Sequence, residues 1–131
     1  MSGNRRSGPL LLVMILAACG VGETRSGIET ELAAIQDLSL PANVTDHRSD
    51  AVVRSDYSIR LAWSFETAMA WPEYVDWLEG RLPDGFERRS DDTRVTRFVR
   101  TLPADLQVLQ VRRVEDAGRQ ALQLRLESQA F

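Results

Sequence analysis

The stretch YSIRLAWSFE at residues 57–66 alternates without a break. Tyr57, Ile59, Leu61, Trp63 and Phe65 fall on one side, and Ser58, Arg60, Ala62, Ser64 and Glu66 on the other. A side-chain period of two is the mark of a β-strand buried on one face, and aromatic and branched residues suit the pleated surface they would cover. Such a strand needs hydrogen-bonded neighbours on either side and a layer over its apolar face.

Both are legible nearby. Trp71, Tyr74, Val75, Leu78 and Leu82 recur at i, i+3, i+4, i+7 and i+11, one stripe of an α-helix over residues 71–82. Pro72 suits its first turn, where a missing N–H costs no helical bond. Pro83-Asp84-Gly85 then stops it. Residues 93–102 and 106–114 read as strands joined at Pro103-Ala104-Asp105, and Glu115-Asp116-Ala117-Gly118 reads as a hairpin turn. In the last strand, 120–130, Leu122, Leu124 and Leu126 alternate with Gln123, Arg125 and Glu127. Residues 86–90 carry a short additional strand pattern. Upstream, Ile28, Leu32, Ile35 and Leu38 predict an amphipathic helix whose stripe docks on the domain or on a partner, the domain being the expectation, followed by one long loop over 39–56, rich in Asp, Ser, Pro and Asn. The order predicts an α+β fold over residues 28–131. It has a small antiparallel sheet of three to five strands, one helix packed on one face, an additional N-terminal helix, and a polar opposite face. Gly, Ser, Thr and charge across 19–27 read as a flexible tether.

Residues 1–18 have the parts of an export signal: Arg5 and Arg6, the apolar run LLLVMILAA at 10–18, and small Ala17 and Ala18 before a cut. That run is far shorter than the roughly 20 residues needed to cross a bilayer. Cys19 directly follows Leu16-Ala17-Ala18 and precedes Gly20, and the run resembles the lipobox of bacterial envelope lipoproteins. The resemblance covers residues 1–20. It implies that the Cys19 thiol receives a diacylglycerol, that the leader is removed just before it, and that the freed amino group is acylated too. Two or more chains anchor firmly, each buried CH₂ contributing about 0.8 kcal/mol. Gly20 stands where an Asp would retain such a protein on the inner membrane, so the resemblance implies an outer-membrane, periplasm-facing location. Arg5-Arg6 also suggests a twin-Arg signal, but Gly8 and Pro9 stand where that signal prefers apolar residues.

Cleavage before Cys19 leaves 113 residues and moves the formal charge from −3 to −5. A mildly acidic domain disfavours nucleic acid and broad attraction to anionic lipid. All 16 basic residues are arginine, and Cys19 is the only cysteine, so no disulfide is available. A domain of this length buries about two-thirds of its unfolded surface, enough for one core.

Candidates for chemistry are few. His47, the only histidine, sits beside Asp46 with Asp50 nearby, the makings of an acid–base pair. Zinc recruits several His or Cys ligands, which the chain lacks, so no metal and no cofactor are expected. Ser58 and Ser64 lack a Gly-x-Ser-x-Gly setting, and no glycine-rich loop precedes a helix to cradle phosphate. Two groupings remain. Trp63, Trp71, Tyr74 and Trp77 concentrate aromatic surface; Trp63 and Trp71 read as core, while Trp77 lies at the stripe's edge, where an indole can grip a sugar or a protein. Arg94, Arg97, Arg100, Arg112, Arg113 and Arg125 crowd the later strands, where exposed guanidinium forks would hold a carboxylate or phosphate. Trp77, Arg97, Arg100 and Arg112 form the candidate binding set. Asp91, Asp92, Glu115 and Glu127 are near enough to pair with the arginines across strands, which would make a solvated mixed-charge face instead.

Three functions follow from these residues. One is a non-enzymatic envelope lipoprotein, anchored to the membrane through Cys19, whose domain holds another envelope protein. Another is a small-ligand or cell-wall binding module using Arg and Trp. The third is a hydrolase built on Asp46-His47, which His47→Ala would abolish. The first requires no catalytic group, none is visible in the sequence, and it is the expectation.

Overall fold

The computed structural model describes residues 21–116 and 119–131. The chain divides into two units, Met1–Glu31 and Leu32–Phe131. Of the first, the described part is the start of helix α1 (Val21–Leu38); Cys19, the leader and the beginning of the tether lie outside the described residues. The helix begins ahead of the predicted start at residue 28, running through Gly27. Extending a helix that is already nucleated fixes one residue per bond gained, so the small polar residues read as tether are carried along.

The second unit is a sheet with helices on one face. Its strands are β1 (Thr45–Ser49), β2 (Val53–Arg54), β3 (Ser58–Glu66), β4 (Glu87–Asp91), β5 (Val95–Thr101), β6 (Asp105–Asp116) and β7 (Arg119–Ala130), with helix α2 (Trp71–Arg81) between β3 and β4. All seven strands join one antiparallel sheet in the order β1-β3-β7-β6-β5-β4, with β2 pairing β3 beside β1. The predicted alternation in β3 holds: Ile59, Leu61, Trp63 and Phe65 are buried.

Register builds the core from these residues. Leu61, Leu126, Leu109 and Phe98 stand opposite one another in successive strands and form one apolar row; Trp63, Leu124, Val111 and Thr96 form the next. Trp71, Tyr74, Val75 and Leu78 of α2, and Leu32 and Ile35 of α1, are buried too. Each side chain of this size contributes about 1.5–3 kcal/mol on leaving water. Polar pins fix the helices. Ser39, just past α1, donates its hydroxyl to Gln36 O at 2.6 Å and accepts from Trp63 Nε1 at 2.9 Å. Its carbonyl accepts from the Tyr74 hydroxyl at 2.7 Å. Arg81 Nε donates to Leu38 O at 3.0 Å, satisfying a carbonyl at the end of α1.

The predicted α+β fold with three to five strands, one packed helix and an additional N-terminal helix is corrected: the described residues are mostly β, with seven strands in one sheet and two helices. The difference lies chiefly in residues 39–56, expected as loop, which contain β1 and β2. Both are edge segments exposed at every position. A strand wet on both faces has no apolar alternation to betray it; it exists because β3 offers free backbone groups to pair with.

Candidate functional site

Because the helices cover one face of the sheet, alternation leaves the other open to solvent. In register across β5, β6, β7 and β3, three rows define its centre: Val95, Arg112, Gln123 and Ser64; Arg97, Gln110, Arg125 and Ala62; Val99, Val108, Glu127 and Arg60. Gln110 therefore lies between Arg97 and Arg125 on adjacent strands, with Arg112 two residues along its own strand. Neighbouring strands are about 4.8 Å apart and same-face residues about 6.8 Å apart along a strand, so all three arginines surround Gln110 within reach of their side chains.

The surface is hollowed there. One depression of about 390 Å³ is lined by Asp50, Ala62, Ser64, Gln110, Arg112, Gln123 and Arg125, so its wall carries one acid beside two arginines. A second of about 700 Å³ includes Arg94, Val95, Arg112, Val114 and Gln123. The two adjoin at Arg112 and Gln123, which makes this part of the open face grooved. Arg97 Nε donates to Gln110 Oε1 at 3.2 Å, which leaves the Gln110 amide nitrogen as a further donor. Among the described residues, Arg60, Arg112 and Arg125 form no ion pair. Val95 and Val114 on one side of the Arg97–Gln110 row, and Val99, Leu106 and Val108 on the other, all half-buried, add apolar surface on β5 and β6. The arrangement can hold an anion and an adjoining apolar group; it offers no nucleophile poised beside a base.

The structure divides the predicted binding set. Arg97 and Arg112 share the open face. Arg100 points the opposite way, 8 % exposed, with Nε and Nη2 both donating to Gln107 Oε1 at 3.0 and 2.6 Å and its guanidinium 4.7 Å from the Phe86 ring centre. Trp77 lies on α2, half-buried, 5.7 Å from the Tyr74 ring and stacked under the Arg81 guanidinium at 4.8 Å. Arg125, Gln110 and Gln123 complete the groove instead. Their signal was the same alternation that defined the last strand: Gln123 and Arg125 fall on the side opposite the leucines.

Asp46 and His47 are not paired with each other. Asp46 Oδ1 accepts from Arg48 Nε at 3.1 Å, and His47 Nε2 lies 3.5 Å from Ser49 Oγ, which also accepts from Gln36. Asp46 has φ of 52°, a left-handed conformation that Asp tolerates, at the bulge between Thr45 and Arg48. Among the described residues no group of His, Cys, Asp and Glu could hold a metal, and no helix is long and apolar enough to cross a membrane. At the β4–β5 turn, Asp92 Oδ1 accepts from the Arg94 and Val95 amides at 2.6 and 2.7 Å. The Arg94 bond first, then that from Val95, holds its carboxyl below the usual range. Burial pushes the Tyr74 phenol far above the ordinary tyrosine range. No protein-family model, curated protein or solved structure matches the chain.

Proposed function

We propose that the chain is a non-enzymatic lipoprotein of the bacterial cell envelope, anchored through Cys19 and facing the periplasm from the outer membrane, whose sheet domain holds another envelope protein on its open face. The leader and the Leu16-Ala17-Ala18-Cys19 run support the anchor. The observation that carries the binding role is the open face itself: a groove with arginines that lack ion pairs among the described residues, set beside half-buried valines. Arginine interspersed with apolar side chains is the composition of a protein interface.

A photo-crosslinking residue placed at Ser64 or Gln123 in the full chain tests this in cells. One abundant envelope protein captured from both positions, and not from Glu79 on α2, is the expected result, with capture lost in Cys19→Ala. Equal capture from all positions, or none from Ser64 and Gln123, would remove the face as a partner surface. A second reading, a small-ligand module, is favoured by the depression of about 390 Å³, a volume within the range of ligand pockets. It predicts no protein adduct and protection of the chain by a small anion.

A further inference from the structure

The cluster around Gln110 is more specific than a basic surface. Arg97 and Arg125 flank it in register and Arg112 follows it on β6. Arg97 uses Nε on Gln110 Oε1, so its two terminal nitrogens stay available for an incoming group. Planar guanidinium forks match carboxylates with paired hydrogen bonds, and three around one amide donor make a socket for more than one negative charge.

Resting on the open face as the partner surface, we infer that the Arg97–Arg112–Arg125 socket binds the side-chain carboxylates of an extended acidic segment of the partner. Three features favour a peptide as the occupant. Arg112 and Arg125 sit diagonally on neighbouring strands, about 8 Å apart, and alternate residues of an extended peptide are about 6.8 Å apart, so two carboxylates at alternate positions reach one arginine each. In the next row the same diagonal reaches Arg60 of β3, one more cation for a peptide face that carries acid at alternate positions, while Val99, Val108 and Glu127 lie to one side of that line. The groove is also concave and local within a chain of net charge −3, whereas a flat anionic bilayer would press its charge on the acidic surroundings as well.

The probe is a fluorescein-labelled peptide, Glu-Ser-Glu-Ser-Glu, added to the full chain in neutral detergent and followed by anisotropy, beside its Gln-Ser-Gln-Ser-Gln counterpart. The Glu peptide binds at least about tenfold more tightly, as loss of charge-assisted hydrogen bonds requires, and its affinity falls with added salt. Arg112→Glu and Arg125→Glu each weaken it by about tenfold or more, while Arg89→Glu on the edge strand does not. Arg112→Gln, which adds no opposing charge, gives a smaller loss in the same direction and serves if a reversal disturbs the sheet. Equal binding of the two peptides, or indifference to Arg112 and Arg125, overturns the inference. So does arginine-dependent binding of inorganic phosphate, or of phosphatidylglycerol vesicles, in the absence of peptide binding. Loss of the Glu preference alongside intact crosslinking from Ser64 and Gln123 removes the acidic segment alone; Glu-selective binding with no crosslinked partner removes the envelope-partner reading alone.

Discussion

At the scale of single residues, Ser39 carries more of the fold than its size suggests. Its hydroxyl closes the end of α1 and receives the Trp63 indole, and its backbone carbonyl receives Tyr74, so one small residue joins both helices to β3. Ser39→Ala strands the buried Trp63 N–H and costs about 1–3 kcal/mol, seen as a melting temperature lower by several degrees. Gly85 is the second such point. Its φ is 101°, and a Cβ there would lie 3.0 Å from Arg100 Cδ. Gly85→Ala combines backbone strain with a clash against a buried side chain, for a loss of about 1–3 kcal/mol in denaturant unfolding. The glycine of the Pro83-Asp84-Gly85 turn was plain in the sequence; that it makes room for Arg100 was not. Arg97 and Arg100 differ by three positions, so a period of two puts them on opposite faces. Grouping them by charge alone hid what parity could have told.

At the scale of elements, the strands with one dry face were readable because burial imposed a pattern on them: β3, β5, β6 and β7 fall within a few residues of their predicted bounds. Edge strands escape that rule. TDHRS in β1 carries no large apolar residue, and its place is set by pairing with β3. The arginine groove was half legible, since alternation assigns Arg112 and Arg125 to the wet side, but which arginines converge depends on register between strands distant in sequence. The β4–β5 turn has its own acid dependence. Its amide bonds hold the Asp92 carboxyl below the ordinary value of 3.8, so the folded chain binds fewer protons there than the unfolded chain. That contribution is complete above the ordinary value and is lost as pH falls through the lowered one. Asp92→Asn should flatten the acid limb of a stability-versus-pH curve; an unchanged limb would mean the turn does not register the charge.

For the whole chain, the proposed address and the binding face are separable. Cys19→Ala should leave the protein without incorporated fatty acid when cells are labelled with palmitate, and unfolding of the mutant sheet domain should match the original, since the seven strands all lie within Leu32–Phe131. A shift in unfolding would tie the anchor to the fold.

Both margins of the sheet are blunted. β1 is broken by a bulge with Asp46 in a left-handed turn, and β4, Glu-Arg-Arg-Ser-Asp, carries a second bulge between Arg88 and Ser90. Charges and bulges of this kind discourage a neighbouring strand from adding on. Proteins fixed to a two-dimensional surface meet their own copies far more often than they would in free solution. Under the proposed anchoring, ragged margins would keep copies from zipping into ribbons and leave each open face to the proposed partner.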